Sequence, residues 1–265
     1  MVSLASWSVR TLLDNPKERR TALVARELSR YRIDIAAFSV GFAIKTSHVQ
    51  KLASIPEGLN DCLMKMQLPL GHKKSLTLIS AYAPTMTNPE ENKDKFYEEL
   101  DSHISSVPQS DKLILLGDFN ARIGTDHQAW HRVIGKHGVG KCNSNGLLML
   151  RLRAMHDLSI TNTMFRLPTC NKTSWMHPRS RHWHLIDYVI TRARDRQDVR
   201  LTKAMFGADC WTDHRLIVSR LNLVIQPKRR PQGQKIVKKL NATKLKCPQT
   251  VQELQLKLNS KLRDL

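Results

Sequence analysis

Three short segments of this sequence carry side chains suited to chemistry on a phosphate. Asp118 and Asn120 follow a run of four apolar residues, and Asp213 and His214 stand just before another apolar run. A further acid, Asp187, lies inside a third apolar run. Carboxylates at the ends of buried strands can meet in one cleft, so three acids with an asparagine and a histidine predict metal-assisted chemistry at a phosphate.

The composition indicates a partner that carries many negative charges. The chain has 265 residues, of which 41% are hydrophobic, so it can bury the core of one large domain, or of one domain plus a tail. Its formal net charge is +20, and its pI is about 10.1. Such a surface most often meets nucleic acid, and DNA is the expected partner. The alternative is a basic protein that its charge keeps soluble.

Cysteine usage and hydropathy argue against several other classes. The five cysteines include no CxxC pair, which argues against a zinc site or a disulfide framework and fits an intracellular, reducing compartment. No apolar run is long enough for a membrane span, and the N-terminus lacks the apolar core of a signal peptide. No organic cofactor is expected. A nuclear location is expected only from the charge and the DNA partner, and the oligomeric state is left open, with a monomer favoured.

Apolar periodicity predicts the elements that must position these side chains. Helices are predicted at 17–32, 88–107 and 145–156. Strands are predicted at 4–9, 33–38, 76–82, 112–116, 159–165, 173–176, 185–190 and 216–223. Strands mixed with helices along one chain predict helices packed on sheets.

The composition changes after residue 225. Residues 226–265 contain eleven Lys and Arg but two acids. We expect a folded domain at 1–225, a basic linker at 226–240 and a basic amphipathic helix at 241–265. The helix is predicted because Val251, Leu254, Leu258 and Leu262 recur at helical spacing.

Several motifs occur in an order that resembles a known family. They are Ala5-Ser6-Trp7-Ser8-Val9-Arg10, Ser80-Ala81-Tyr82-Ala83-Pro84, the stretch 117–124, Asn145-Gly146, Asn162-Thr163, the strand around Asp187, and Thr212-Asp213-His214. With them, residues 1–225 resemble the endonuclease/exonuclease/phosphatase superfamily, and more narrowly the endonuclease domain of LINE-type (non-LTR) retrotransposons. The resemblance implies an α/β fold, the four-layer sandwich of the deoxyribonuclease-I-like type, in which two mixed β-sheets pack together and helices cover them.

The resemblance also implies roles for individual side chains in hydrolysing a phosphodiester. His214 would act as general base or stabilise the transition state, and Asp187 would orient its ring. Asp118 would orient or activate the attacking water, and Asn120 would hydrogen-bond that water or the phosphate. Tyr82 would contact the phosphate. A base for the proton of water and donors for the growing negative charge are what this chemistry requires.

A divalent metal is implied as well, and here the sequence departs from the family. Mg²⁺, or Mn²⁺, would be bound by Asp213 and Asp118, with Ser8 at a position where the family has asparagine. The family's main ligand is a glutamate directly after the strand 33–38. Here Ser39 is followed at once by residues of the next strand, and no acid stands between Asp34, which is expected to point elsewhere, and position 57.

The domain is therefore interpreted as internally shortened near 39–41. Loss of a carboxylate and an amide should weaken Mg²⁺ binding, because this ion requires several oxygen ligands. The missing segment is also expected to leave one sheet edge uncovered. We expect phosphodiesterase activity to be absent or strongly reduced.

A basic segment before the Asp187 strand is a candidate for contacting DNA. Its residues Arg179, Arg181, His182 and Trp183 are expected on a hairpin at the mouth of the cleft, where they would meet phosphates or stack on a base. Arg122 is assigned to the same surface. The alternative is a solvated basic hairpin, and a histidine metal site in this segment is not expected. Trp175 is predicted to be a packing residue.

Three hypotheses about function follow. The first is a LINE-derived, Mg²⁺-dependent DNA endonuclease domain with impaired activity. The second is a catalytically inactive module that keeps the basic surface for nucleic acid or another partner. The third is a retrotransposon remnant without a selected function.

Overall fold

The structure is a computed structural model and describes residues 1–9, 17–52, 54–71, 74–226, 249, 251–253 and 255–256. The chain divides into two units, Met1–Lys228 and Arg229–Leu265. The predicted basic linker, after residue 226, lies outside the described residues. So does most of the predicted C-terminal helix, whose six described positions are helical. Among the described residues, no helix has the length and apolar character needed to cross a membrane.

The first unit alternates helices with strands. Its helices are α1 Lys17–Arg30, α2 Thr46–Val49, α3 Glu90–Ser105 and α4 Ser144–Met155. Its strands are β1 Val2–Ser6, β2 Ile35–Phe38, β3 Gly41–Ile44, β4 Glu57–Gly58, β5 Leu63–Gly71, β6 Lys74–Tyr82, β7 Lys112–Asp118, β8 Ile123–Gly124, β9 Val139–Cys142, β10 Leu158–Ile160, β11 Trp175–Met176, β12 Trp183–His184, β13 Asp187–Arg192, β14 Val199–Met205 and β15 Leu216–Leu221.

Most of the strands form two mixed sheets that pack face to face. One sheet has the order β14-β15-β1-β2-β3, and the other has the order β10-β13-β7-β6-β5-β4. Strand β7 shows how the core is divided, because successive side chains point to opposite faces of a sheet. Ile114 and Leu116 lie in the core between the sheets, together with residues of β1 and β15. Leu113 and Leu115 lie in a second core, against α3 and α4.

Helices cover the outer faces of both sheets. Val24 of α1 packs against the outer face of the five-stranded sheet. Phe96 and Leu100 of α3 and Leu150 of α4 pack on the six-stranded sheet. Helix, sheet, sheet and helix therefore form four layers, which confirms the predicted α/β sandwich.

Local sequence explains where α3 and α4 begin. Pro89 stands at the start of α3, where its missing N–H costs no hydrogen bond, and two glutamates follow in the first turn. Asn143 caps α4, because its Oδ1 accepts a 2.8 Å hydrogen bond from the N–H of Gly146. A side chain at Gly146 would place its Cβ 1.8 Å from the carbonyl oxygen of Arg122, so only glycine fits there.

The predicted strand at 159–165 was wrong in extent. The strand is Leu158–Ile160, and a 3₁₀ turn, Thr161–Thr163, follows it. The reason is that polar side chains in the turn bond to backbone: Thr163 Oγ1 donates to the Ile160 carbonyl at 2.7 Å. Such local bonds compete with strand pairing.

Strand β2 returns directly as β3, and Ser39 and Val40 form the turn between them. No acid stands at this turn, and β3 forms one edge of the five-stranded sheet. Asp34 lies at the opposite end of β2, where it accepts a 2.9 Å hydrogen bond from the N–H of Ser3 and pairs with His48 at 3.2 Å. It therefore points away from the corner of Ser39, as predicted.

Candidate active site

Strand register brings three of the candidate side chains into one row. Asp118, the last residue of β7, pairs with Tyr82 of β6 on one side and with Asp187 of β13 on the other. Close approach of β6 and β7 depends on Gly117, because a Cβ there would lie 1.8 Å from the carbonyl oxygen of Ala81. The row lies at one end of the six-stranded sheet.

The facing sheet adds His214 and Ser8 at the same end. His214 just precedes β15, and its Nδ1 lies 2.9 Å from Oδ2 of Asp187. The Oγ of Ser8, which follows β1, donates to Oδ1 of the same carboxylate at 3.1 Å. Asp187 is fully buried, and the ring of His214 is 11% exposed, so both belong to the floor of the cleft.

Hydrogen bonds from neighbouring side chains fix the segment that carries His214. Trp7 Nε1 donates to the His214 carbonyl at 3.1 Å. Thr212 Oγ1 donates to the Ser8 carbonyl at 2.8 Å, and the N–H of His214 donates back to Thr212 Oγ1 at 3.3 Å. The motif residues Trp7 and Thr212 therefore position the imidazole.

The backbone of Asp187 is also held by polar side chains. Its N–H donates to Ser174 Oγ at 3.0 Å, and its carbonyl accepts from Asn162 Nδ2 at 3.2 Å. Ser174 and Asn162 are both buried. The motif Asn162-Thr163 thus has a structural role under the site, which the sequence alone did not assign.

Asp118 faces His214 without a hydrogen bond between them. Its Oδ1 accepts a 2.9 Å hydrogen bond from the N–H of Asn120, and its Oδ2 lies 3.9 Å from Nε2 of His214. The pKa of Asp118 is raised to about 8, first by burial and then by the charge of Asp187, although His214 and the Asn120 hydrogen bond oppose the shift.

The pKa of His214 is raised to about 9. Burial lowers it, but the charge of Asp187 and its hydrogen bond, with the charges of Asp118 and Asp213, outweigh burial. His214 is therefore protonated at neutral pH while no metal is bound. The imidazolium lies near Asp187, Asp118 and Asp213, of which Asp118 is itself mostly protonated at neutral pH.

Asn120 and Tyr82 both lie beside Asp118. Asn120 has a positive φ of 46°, and its Nδ2 donates to the Ala83 carbonyl at 2.8 Å, which fixes the orientation of the amide. Tyr82 is partly exposed, and its pKa is raised by burial and by the charge of Asp118. Both side chains are positioned to meet a group that enters the cleft.

Asp213 is bonded to a residue that was predicted to be a packing residue. Trp175 Nε1 donates to Oδ2 of Asp213 at 3.1 Å, and Trp175 pairs with His214 in an isolated β-bridge. Trp175 therefore links the hairpin to the segment 213–214. No spacing in the sequence indicated this contact.

The site offers one group of metal-binding side chains among the described residues. Asp118, Asp187 and His214 each have a donor atom within 4.8 Å of the others. Two carboxylates and an imidazole fit a divalent cation. They fit Mg²⁺, which prefers oxygen ligands, less well. Asp187 is already bonded to Ser8, and the turn after β2 has Ser39 where the resemblance implies an acid.

The basic hairpin has the predicted form. Strands β11 and β12 pair antiparallel, and Arg179, Arg181 and His182 are exposed on the loop between them. Trp183 is less available, because the guanidinium of Arg215 covers its ring at 3.4 Å from the centroid. One face of the Trp183 ring is therefore covered by Arg215.

A cavity of about 550 Å³ lies between the hairpin and the segment that carries Asn120. Its lining includes Arg122, Trp175, His177 and His184. The pKa of His184 is lowered, mainly by burial and then by the positive charge of Arg122. Arg122, which was assigned to the DNA surface, therefore lies beside the cleft.

More than half of the sequence matches a known protein family. Residues 76–218 match the family described as endonuclease-reverse transcriptase. The chain is 36% identical over 171 residues to craniofacial development protein 2 of Bos taurus and 34% identical over 171 residues to that of Tragulus javanicus. These alignments cover 64% of this chain but 28% and 29% of the relatives, so the chain matches less than a third of their length.

A solved structure has the same fold. The endonuclease domain of TRAS1, a telomere-specific non-LTR retrotransposon, superposes with a TM-score of 0.58, covering 83% of this chain and 99% of that domain. The two sequences are 15% identical, so this comparison supports the fold alone.

Proposed function

Because this chain belongs to the endonuclease-reverse transcriptase family, we propose that it is a metal-dependent phosphodiesterase that acts on DNA, with strongly reduced activity. The observation that carries the proposal is the spatial arrangement of Asp187, His214 and Asp118, in that order. An oriented imidazole and a second buried carboxylate converge at the end of two packed sheets. A monomer in the nucleus, where DNA is present, is part of the proposal.

His214 would stabilise the transition state rather than act as the first base. Its raised pKa of about 9 keeps the ring protonated at neutral pH in the metal-free site. Nδ1 donates to Asp187, so Nε2 is the atom that can donate to a phosphate oxygen as negative charge develops. Asp187 acts by fixing the ring and by stabilising its positive charge.

Asp118 and Asn120 would activate and position the attacking water. Asp118 Oδ2 faces the cleft, and in its ionised form it can accept the proton of a water molecule. The amide of Asn120, fixed by its bond to Ala83, would hold that water or the phosphate. Tyr82 would contact the phosphate from the neighbouring strand.

A divalent cation would be held by Asp118 with Asp213 nearby, and Ser8 would add at most a hydroxyl. Bound there, it would neutralise charge on the phosphate and favour the ionised form of Asp118. The turn at Ser39 brings no acid to this cation, and Ser8 Oγ is already bonded to Asp187. We expect weak metal binding, and therefore slow hydrolysis, for these reasons.

Nicking of supercoiled plasmid by the full chain tests this proposal, with Mg²⁺ or Mn²⁺ added. We expect slow nicking that EDTA abolishes and that His214→Ala reduces by about 10²-fold or more. The matched control is His48→Ala, because His48 also pairs with an aspartate, Asp34, but lies at the far end of β2. Equal nicking by the wild type and His214→Ala would contradict the proposal.

A second candidate function is supported by the turn at Ser39. If the domain no longer cleaves because this turn carries no metal-binding carboxylate, its basic surface would still bind nucleic acid. The exposed residues Arg179, Arg181 and His182 would supply phosphate contacts. A folded protein that binds DNA in a salt-dependent manner, but does not nick it with either metal, would favour this candidate.

A further inference from the structure

The ring nitrogen Nε2 of His214 faces a carboxylate oxygen, Oδ2 of Asp118. Nδ1 is engaged by Asp187 at 2.9 Å, and Nε2 lies 3.9 Å from Oδ2 of Asp118, too far for a hydrogen bond. Asp118 is 3% exposed, and within the described part of the chain no donor bonds to its Oδ2. Oδ2 of Asp118 and Nε2 of His214 thus face each other across a short gap.

The gap has the width that a metal ion requires. Bonds of about 2.1 Å from a transition metal to an imidazole nitrogen and a carboxylate oxygen span at most about 4.2 Å. The separation of 3.9 Å between Nε2 and Oδ2 is therefore compatible with one ion bound to both atoms at an open angle. Water would complete its coordination.

Asp187 orients the imidazole of His214 in the way that a carboxylate usually orients a metal-binding histidine. Ligating histidines commonly donate their other N–H to a carboxylate, which fixes the tautomer and increases the basicity of the ring. Asp187 accepts from Nδ1 of His214, and Ser8 in turn donates to the other oxygen of Asp187. The imidazole is therefore oriented before any metal arrives.

We propose that His214 and Asp118 bind a transition-metal ion, such as Zn²⁺ or Co²⁺, in preference to Mg²⁺. Imidazole nitrogen is a good ligand for transition metals, whereas Mg²⁺ is bound mainly by oxygen. The turn at Ser39 supplies no carboxylate that would favour Mg²⁺. The inference uses the same site as the proposed hydrolysis but does not require that DNA be cleaved.

Such an ion would occupy the ring nitrogen that the proposed hydrolysis needs. His214 could then no longer donate to a phosphate from Nε2. Zn²⁺ at this position is therefore expected to inhibit nicking that Mg²⁺ or Mn²⁺ supports.

The test is a titration of the chelator-treated full chain with Co²⁺, whose visible absorption reports nitrogen and oxygen ligands, in the absence of DNA. Mg²⁺ is then added as a competitor. We expect one Co²⁺ per chain, bound at least about tenfold more tightly than Mg²⁺. Because no DNA is present, failure to bind Co²⁺ is distinguishable from failure to nick a plasmid.

Variants assign the bound ion to this site. His214→Ala and Asp118→Asn should each weaken Co²⁺ binding about tenfold or more, and Asp187→Asn about 10–100-fold. His48→Ala and the double variant His177→Ala/His184→Ala should bind as the wild type does. Asp118→Asn remains informative if His214→Ala does not fold, because burial already favours a neutral side chain at position 118.

The inference is overturned if the wild type does not bind Co²⁺ or binds it no more tightly than Mg²⁺. Two results with the variants would overturn it as well. One is wild-type Co²⁺ affinity in the folded Asp118→Asn and His214→Ala variants. The other is loss of binding in the hairpin double variant alone, which would place the ion on the histidines of the hairpin.

Discussion

His214 Nδ1 lies 2.9 Å from Oδ2 of Asp187, although the two residues stand 27 positions apart in the sequence. Asp187 opens β13 of the six-stranded sheet, and His214 precedes β15 of the five-stranded sheet. The bond therefore joins the two sheets at the end where the candidate site lies. The same contact orients the imidazole.

The first prediction concerns the charge of His214. In EDTA, Asp187→Asn should lower the pKa of His214 from about 9, since it removes the charge and the hydrogen bond that oppose burial most, while Asp118 and Asp213 remain. An NMR pH titration of the His214 ring measures this. A pKa that stays near 9 in the variant would show that Asp187 does not hold the proton on the ring.

The second prediction concerns stability and pH in the metal-free protein. Folding raises the pKa of Asp118 from 3.8 to about 8, so the folded state binds a proton more tightly than the unfolded chain. Wild-type stability should therefore fall as pH rises between about 4 and about 8. Asp118→Asn removes this penalty, and its melting temperature should exceed that of the wild type by several degrees at pH 8.

At pH 4 the advantage of Asp118→Asn should nearly vanish, because Asp118 is then largely protonated in both states. Thermal melts in EDTA at both pH values check this. An equal advantage at pH 4 and pH 8 would mean that the substitution acts through packing rather than through charge.

The third prediction concerns a buried arginine beneath the site. Arg153 of α4 is fully buried, and its guanidinium lies 5.0 Å from the ring centroid of Phe119. None of its three guanidinium nitrogens has a hydrogen-bond partner among the described residues. Burial lowers the pKa of Arg153 to about 10. An unpaired buried cation of this kind costs stability.

Arg153→Met, which keeps much of the volume but removes the charge, should raise the free energy of unfolding by about 1–4 kcal/mol. Urea denaturation measures the change. Arg151→Met is the matched control, because Arg151 lies on the same helix but is exposed. A destabilised Arg153→Met variant would indicate that the guanidinium has a partner that stabilises it.

The fourth prediction concerns the basic hairpin. Arg179→Ala/Arg181→Ala should weaken DNA binding and make the slope of log affinity against log salt shallower by about two, roughly one for each phosphate that is no longer neutralised. Arg151→Ala is the control, because it removes one exposed arginine charge on α4, outside the hairpin. An unchanged slope in the double variant would mean that the hairpin is solvated and does not contact DNA.

Much of the site could be predicted because its residues stand at the ends of apolar strands. Asp118, Asp187 and His214 are each next to or within such a run, and the register of β7 and β13 brings the two acids together. The contact of Trp175 with Asp213 could not be predicted, since it depends on how the hairpin folds over the cleft.

The fold class was predicted correctly, but not every strand was. Strand β5 was not predicted, although Lys65 and Gln67 alternate with apolar residues as in a strand with one exposed face, and Pro69 near its end weakens the pattern. Strand β14 has Arg200 and Lys203 among its apolar residues. The strand expected at 159–165 ended early because its threonines bond to nearby backbone. Long-range pairing, which a local pattern does not encode, decides these segments.

Plasmid nicking by the wild type and His214→Ala, with Mn²⁺ or Mg²⁺ and with EDTA, tests the central claim most directly. We predict slow nicking that requires the metal and that His214→Ala reduces by about 10²-fold or more, while His48→Ala retains it. No nicking by a protein shown to be folded, or nicking that persists in His214→Ala, would contradict the claim that this site hydrolyses phosphodiesters.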